Sequence, residues 1–320
     1  MSKRKIYFRA DAGADIGYGH FIRSLALADM LRENFNCVFT TLSPTSYQLQ
    51  EMNKVCEYIP LVGLKNQFEN FLSLLNGDEI VVLDNYYYDT SFQKQIKEKG
   101  CKLICIDDIH TRHFYCDVIF CPDPCHPADY SAEPFTEIYC GMEWAFLRKP
   151  FINNVRLRNS DTIDKVVVAL GGADPYGLTD RVLGVLTDKP LEVSVIAGDT
   201  VVVDPVYQKR VKVYRRVSAE EIVRLFNEAD LGIFSASTIC NEALACKLPV
   251  AAGYYVDNQY EYYNYLKDEH IIYPLGYLRD NSLEMNMDRI FTSREKVIIP
   301  DFDYKNQVIS VPLKWDELNN

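Results

Sequence analysis

Short apolar runs alternate with amphipathic stretches along the first half of the chain. The apolar, β-rich runs predict strands at 5–8, 37–41, 79–83, 102–106 and 118–121. Apolar residues at helical spacing predict helices between them, at 21–33, 46–54, 67–75 and 91–99. Strands that alternate with helices are typical of βαβ units and a parallel sheet. Continuous apolar runs such as 80–83 suit strands that are buried on both faces.

The alternation restarts in the second half. Strands are predicted at 165–170, 191–197, 212–214, 231–234 and 248–252, and helices at 180–186, 219–229 and 238–246. The residues between the halves are polar and charged, which favours a linker. We therefore predict an N-terminal α/β domain at 1–150, a linker at 151–164, a second α/β domain at 165–291, and an extension of unknown role at 292–320. Within the extension, the apolar residues 308–311 predict a last strand.

The predicted fold class is α/β, with two doubly wound, Rossmann-like domains that face a central cleft. Ligands of such sheets bind beyond the carboxyl ends of the strands. We therefore expect the loops that follow the strands of both domains to line that cleft.

Composition narrows the classes of function. A chain of 320 residues is long enough for two domains, and its net charge of −11 argues against a nucleic-acid-binding protein, which normally has a basic face. No apolar run approaches the roughly 18 residues of a membrane-spanning helix, and residues 6–8 are too few for the core of a signal peptide. We expect a cytoplasmic protein with no nucleic-acid or membrane partner.

The ten cysteines are scattered, with no C-x-x-C pair. Several lie in apolar runs, and without an export signal we expect them to be reduced and buried. The stretch from Cys121 through Cys125 to His126 could form a metal corner, but its spacing fits no common zinc pattern and its prolines favour a loop. We therefore expect no metal and no cofactor.

The segment 9–31 carries the strongest chemical signal. The first predicted strand runs into a loop with Gly17 and Gly19, which let the backbone turn tightly and let a ligand approach closely. The loop opens a helix, whose free N–H groups favour an anion. His20 stands at this helix start, and histidine exchanges protons readily near neutral pH. We therefore predict that the end of this strand, the loop and the helix start form part of a catalytic site.

Gly17-Tyr18-Gly19 begins like a dinucleotide fingerprint, but Ile22 stands where the third glycine should be, so an NAD site is not indicated. The segment instead resembles the signature R-x-D-x-x-x-x-I-G-x-G-H-x-x-R. That signature is typical of the family of UDP-2,4-diacetamido-2,4,6-trideoxy-β-L-altropyranose hydrolase, a nucleotide-sugar enzyme of pseudaminic acid synthesis. It matches here at Arg9, Asp11, Ile16, Gly17, Gly19, His20 and Arg23. Many members have a cysteine at the next position, where this chain has Ser24, and we assign this position to helix packing.

Motifs after strands of the second half resemble the same family. The matches to its G-G-x-D, S-A-S-x-x-x-N-E-A and N-Q motifs are Gly171, Gly172, Asp174, Ser235, Ser237, Thr238, Asn241, Glu242, Asn258 and Gln259. Hydroxyls and free N–H groups at the helix start could bind a diphosphate, and Glu242 could accept hydrogen bonds from ribose hydroxyls. Ordinary turns, an N-cap and a plain helix entry would explain the same residues.

Residues at strand ends of the first half also match motifs of this family. Asp84-Asn85-Tyr86 resembles the family's D-H-Y, in which the tyrosine contributes to catalysis; Tyr86 is the match, although Asn85 replaces the histidine and three consecutive tyrosines leave the register open. Asp107 and Asp108 match a D-D pair, which could act as acid and base or could cap the next element.

The resemblance, which runs from about residue 5 to about residue 276, implies the GT-B fold and a metal-independent hydrolase. It would cleave the anomeric C–O bond of a UDP-linked 2,4-diacetamido-2,4,6-trideoxy sugar with water. We assign His20 as general base, Tyr86 as an orienting group and Asp11 as the partner of His20, in a monomer. A GT-B glycosyltransferase, a hydrolysing UDP-sugar 2-epimerase and a non-catalytic sugar-nucleotide-binding protein remain alternatives.

Overall fold

The structure is a computed structural model that describes residues 3–12, 18–61, 63–153, 162–292 and 296–317. It divides into two compact units: unit 1 comprises 1–149 with 303–320, and unit 2 comprises 150–302. The predicted linker at 151–164 lies mostly outside the described residues, which omit 154–161. The predicted extension at 292–320 is divided between the units.

Unit 1 is built on a parallel sheet. Its strands are β1 (Lys5–Ala10), β2 (Asn36–Leu42), β3 (Glu57–Leu61), β4 (Ile80–Asp84), β5 (Lys102–Ile106), β6 (His113–Phe114), β7 (Val118–Cys121), β8 (Ser131–Ala132) and β9 (Glu137–Cys140). The sheet order is β3–β2–β1–β4–β5–β7–β9, and β6 pairs with β8. Its helices are α1 (Gly19–Leu31), α2 (Ser46–Val55), α3 (Gln67–Leu72) and α4 (Thr90–Glu98), and α5 (Lys149–Asn153) begins at its border with unit 2.

Unit 2 is also built on a parallel sheet whose strands alternate with helices. Its strands are β10 (Lys165–Ala169), β11 (Glu192–Ile196), β12 (Lys212–Tyr214), β13 (Leu231–Ser235), β14 (Val250–Tyr254) and β15 (Ile272–Tyr277), in the parallel order β12–β11–β10–β13–β14–β15. Its helices are α6 (Leu178–Leu186), α7 (Pro205–Gln208), α8 (Ala219–Glu228), α9 (Thr238–Ala245), α10 (Tyr260–Asp268) and α11 (Leu283–Thr292).

Both sheets are doubly wound, so the predicted α/β class is confirmed. In each unit the chain order reverses beside the first strand, between β1 and β4 and between β10 and β13. Ligands of such sheets bind at the carboxyl ends of the strands, at this switch point. In unit 1 the switch point pairs Ala10 with Asp84 in register, and all of β4 is buried, as its continuous apolar pattern predicts.

The C-terminal segment differs from its prediction. Residues 308–311, predicted as a strand, lie in helix α12 (Tyr304–Glu317), which belongs to unit 1. Among its buried residues, Tyr304, Val308, Val311 and Trp315 recur every three or four positions, which is the spacing of one helix face. The strand prediction was wrong because the buried residues on either side of this short apolar run continue the spacing of a helix face.

One pair of cysteines is oxidised, although we expected all of them to be reduced. Cys125 and Cys140 form a disulfide with their Cα atoms 5.7 Å apart. They come together because β7 and β9 are neighbours in the sheet. The other cysteines are free, and all but the half-buried Cys56 are buried. Among the described residues, no helix combines the length and the apolar character needed to cross a membrane.

Candidate functional site

The centre of the unit 1 site is a buried histidine–carboxylate pair. His20 lies in the first turn of α1, and its Nδ1 is 2.7 Å from Oδ1 of Asp84, the last residue of β4. His20 is 6% exposed and Asp84 is 0% exposed. Because an ionised carboxylate can only accept, the proton of the neutral imidazole lies on Nδ1, and Nε2 is then the nitrogen with the lone pair. The pair therefore holds the imidazole in the form that can accept a proton at Nε2.

Two further side chains of α1 hold Asp84 in place. Arg23 donates from Nε to Oδ2 at 2.8 Å and from Nη2 to Oδ1 at 2.7 Å, and Ser24 donates from Oγ to Oδ2 at 2.9 Å. Burial alone would raise the pKa of Asp84, but the charge and hydrogen bonds of Arg23 outweigh it and hold that pKa below its usual range. Asp84 is therefore ionised, and Ser24, which we assigned to helix packing, also donates to this carboxylate.

Tyr86 lies against the histidine. Its ring meets that of His20 edge to face, with the centroids 4.6 Å apart, and 44% of the residue is exposed. Its hydroxyl bonds to Asp108, whose carboxylate also accepts from Arg23 Nη1 at 2.7 Å. Burial and the Asp108 charge raise the pKa of Tyr86 well above its usual value. The phenol is therefore a neutral hydrogen-bonding group beside the imidazole.

Asp11 is not the partner of His20, so that assignment was wrong. Its carboxylate pairs with Arg9, accepts from the Tyr87 hydroxyl, and accepts from the Leu42 amide at 2.6 Å. It lies just past the end of β1 and bonds toward β2, whereas Asp84 ends β4 below the first turn of α1. The Asp11 carboxylate therefore ties strand ends together.

Two residues near the histidine–carboxylate pair differ in their surroundings: Asn85 bonds to a neighbouring strand end, and Gly19 has free space around it. Asn85 accepts from the Asp11 amide at 2.7 Å and so joins the ends of β1 and β4. Gly17 lies outside the described residues. Gly19 begins α1, and a Cβ built there would meet nothing within 4 Å. The α1 start, which has no side-chain cap, is therefore open around Gly19.

The acid pair after β5 splits into two roles. Asp107 Oδ2 accepts from the amides of Ile109 and His110, at 3.1 and 2.8 Å, so it caps the turn. Asp108 instead pairs with Arg23. Sequence reasoning missed the half-buried Asp123 after β7, where burial and the charge of Asp108 raise its pKa to about 6.

In unit 2, Gly171, Gly172 and Asp174 form the turn from β10 to α6. Gly171 has a positive φ of 101°, and a Cβ on it would lie 2.9 Å from the Tyr255 hydroxyl, so the position favours glycine. Asp174 is buried, and its two oxygens accept from the amides of Leu178 and Thr179, both at 2.8 Å. The turn explanation therefore accounts for the Asp174 carboxylate, while Gly172 has open space around it.

The start of α9 differs from that of α6 because no side chain caps it. Ser237 occupies the N-cap position, but its hydroxyl donates to the carbonyl of Ser235 at 3.3 Å. The following Thr238 is exposed. Free N–H groups at a helix start attract anions, since the helix dipole adds to their hydrogen bonding. The ordinary N-cap explanation therefore does not account for Ser237.

The remaining predicted residues of unit 2 lie around α9 and α10. Asn241 is buried and accepts from the Tyr262 hydroxyl at 2.5 Å, which joins the two helices. Glu242 is half-buried, one turn after Thr238. Asn258 is exposed, and Gln259 accepts from the Tyr255 amide at 3.1 Å. Asn241 and Gln259 therefore have structural contacts that their motifs do not reveal.

No protein-family model matches the chain. It is 28% identical over 267 residues to UDP-2,4-diacetamido-2,4,6-trideoxy-beta-L-altropyranose hydrolase of Campylobacter jejuni subsp. jejuni serotype O:2, a match that covers 80% of this chain and 93% of that protein. It is also 26% identical over 291 residues to the uncharacterized protein MJ1062 of Methanocaldococcus jannaschii, covering 82% of this chain and 58% of that protein.

Solved structures give the fold. MurG of Acinetobacter baumannii is similar with a TM-score of 0.65 and 11% identity over 97% of this chain and 99% of that one. A putative UDP-N-acetylglucosamine 2-epimerase of Listeria monocytogenes has a TM-score of 0.60 and 11% identity over 100% of this chain and 98% of that one. These likenesses show the GT-B fold. The Campylobacter match agrees with the resemblance that the signature residues Arg9, Asp11, His20 and Arg23 carry.

Proposed function

We propose that the protein hydrolyses a UDP-linked 2,4-diacetamido-2,4,6-trideoxy sugar to the free sugar and UDP, in nonulosonate biosynthesis of the pseudaminic acid type. The observation that carries the proposal is the buried His20–Asp84 pair, with Nδ1 of the imidazole 2.7 Å from the carboxylate. Such a pair fixes the tautomer and stabilises the imidazolium that forms when Nε2 takes a proton. The name of the Campylobacter relative supports the reaction and the substrate class.

In the proposed mechanism, Nε2 of His20 accepts a proton from water while the water oxygen attacks the anomeric carbon. The bond from that carbon to the UDP oxygen breaks, and UDP leaves with the electron pair as an anion. UDP is a good leaving group, so a general acid is not needed. The Tyr86 hydroxyl donates its proton to Asp108, and its oxygen would accept a hydrogen bond from the water or the sugar and so orient it.

Unit 2 is the proposed nucleotide-binding unit. The uncapped start of α9 would donate N–H groups to the diphosphate, with the hydroxyls of Ser237 and Thr238 beside it. Gly172 provides room for a ligand near the end of β10, and Glu242 would accept from the ribose hydroxyls. Solved GT-B structures with UDP bound, such as Anabaena HepE, support a UDP ligand for this fold.

UDP release from a panel of UDP-deoxysugars, without any acceptor, tests this function. We expect UDP and a free sugar of unchanged configuration at C2, as observed by NMR. Release that requires an acceptor alcohol would instead show a glycosyltransferase, and a C2-epimerised product would show a hydrolysing epimerase. Binding of UDP without turnover of any panel member would contradict an enzymatic role.

Brief EDTA treatment is expected to leave the hydrolysis rate unchanged. The diphosphate site proposed here consists of N–H groups and hydroxyls, so a divalent cation is not needed to neutralise charge. The measurement is UDP release with EDTA, then with added Mg²⁺ or Mn²⁺. A rate that falls and returns only with Mg²⁺ or Mn²⁺ would show that a metal takes part in the reaction.

The Glu242→Ala variant is expected to raise KM and the Kd of UDP about 10- to 100-fold, with kcat little changed. A hydrogen bond to a charged group contributes about 1.5–3 kcal/mol, and a ribose contact is present in the ground and transition states alike. Glu221→Ala, on α8, is the matched control, since Glu221 contacts Arg224 at the surface. Equal UDP affinity in the two variants would remove Glu242 from the nucleotide site.

A further inference from the structure

Three metal-binding side chains converge in unit 1 outside the His20 site. Ligand atoms of His110, Cys121 and Cys125 all lie within 4.8 Å of one another. His110 follows β5, Cys121 is the last residue of β7, and Cys125 follows four residues later. Because β5 and β7 are parallel neighbours, their carboxyl ends bring these side chains together.

A fourth ligand lies beside them. Cys140 ends β9 and is the register partner of Cys121 on the adjacent strand, so their side chains lie on the same face of the sheet. The Cys140 sulfur is bonded to that of Cys125. Three cysteines and one histidine therefore meet at the carboxyl ends of three neighbouring strands.

The spacing suits a tetrahedral ion. With Zn–S distances of about 2.3 Å and Zn–N distances of about 2.0–2.1 Å, neighbouring sulfur and nitrogen ligands lie about 3.6 Å apart. Nε2 of His110 and Sγ of Cys121 are 4.0 Å apart. Small side-chain rotations would therefore complete this part of the site.

Surrounding groups already hold these ligands. The His110 amide donates to Asp107 at 2.8 Å, and the His110 ring meets Tyr130 edge to face with centroids 4.5 Å apart. The Tyr130 hydroxyl donates to the Asp107 carbonyl at 2.9 Å, which holds its ring against His110. Contacts of this kind orient metal ligands.

We propose that His110, Cys121, Cys125 and Cys140 bind one Zn²⁺ when the Cys125–Cys140 disulfide is reduced. A dithiol reductant gives two electrons and two protons to the disulfide, and the thiols release their protons to solvent as the ion binds. Four protein ligands close the site, so the ion is structural and not catalytic. It would tie β5, β7 and β9 together next to Asp108, the partner of Arg23.

The stretch from Cys121 to His126 contains two cysteines of the proposed site, Cys121 and Cys125, and a histidine, His126, that is not part of it. His126 is exposed, and its Nδ1 accepts from the Ala128 amide at 3.1 Å. It is therefore a matched control for His110, which follows the neighbouring strand and lies against Cys121.

The test uses full-length protein purified without oxygen in a dithiol. We expect about one Zn²⁺ per chain, thiolate-to-metal absorption on titration of the metal-free protein with Co²⁺, and a higher Tm with Zn²⁺. His110→Ala and Cys140→Ser should each weaken Co²⁺ affinity at least about 10- to 100-fold, while His126→Ala should not. Cys140 is half-buried, so its serine variant keeps the protein testable if His110→Ala unfolds.

Three results would overturn the proposal: reduced protein that gives no thiolate absorption with Co²⁺, equal affinity of the His110 and His126 variants, or a Cys125–Cys140 disulfide that survives the dithiol in the folded state. Sugar hydrolysis is not a readout, so failure here leaves the proposed hydrolase untouched.

Discussion

Replacement of His20 by alanine is expected to lower kcat by roughly 10²–10⁴, the usual contribution of a positioned general base. UDP affinity should stay nearly unchanged, because the proposed nucleotide contacts belong to unit 2. The imidazole is buried against Asp84 and the ring of Tyr86, so its removal takes away the group that accepts the water proton. Single-turnover rates and UDP titration by calorimetry measure the two effects separately.

His113→Ala is the control for this variant. His113 is an exposed histidine of the same unit, on β6, and bonds to Ser131 at 2.9 Å. Its variant should keep the normal kcat and Tm. A His20→Ala protein that folds and retains normal kcat would make His20 a helix-entry residue and would refute the water-activation mechanism.

The order of elements could be predicted from sequence because each buried strand is a continuous apolar run. The bounds of β12 agree with the predicted 212–214, and those of α9, Thr238–Ala245, differ from the predicted 238–246 by one residue. The edge strand β3 was not predicted, since Glu57–Leu61 is only partly buried and contains a proline. Edge strands tolerate proline and need less apolar character, so their pattern is weak.

Contacts between distant segments were harder to predict. The motif that ends β4 indicated a strand end, but the partner of His20 depends on which strand lies beneath the first turn of α1. Asp84 ends β4 and Asp11 follows the last residue of β1, both at the unit 1 switch point, and sequence alone does not rank them. The contacts of Cys125 with Cys140 and of His110 with Cys121 could not be predicted either, because they depend on which strands lie next to β7 in the sheet.

Asp84→Asn is expected to reduce kcat by roughly 10²–10⁴ and to destabilise the fold by about 3 kcal/mol. The asparagine amide can donate to Nδ1 of His20, which would place the ring proton on Nε2 and block proton acceptance there. The stability loss follows because Arg23, which is largely buried, loses the charge of Asp84 and one of its two hydrogen bonds to that side chain. Turnover below the Tm of the variant, together with urea unfolding, measures both effects.

Asp11→Asn is the matched control, since it also removes a buried carboxylate that pairs with an arginine, here Arg9. It should destabilise the protein to a similar extent, but lower kcat less than about tenfold, because Asp11 and His20 share no partner among the described contacts. Comparison of the two variants therefore separates orientation of the histidine from stability of the strand ends. If Asp11→Asn lost turnover as severely as Asp84→Asn, the loss would follow from unfolding of the strand ends, and Asp84 would have no specific role in orienting His20.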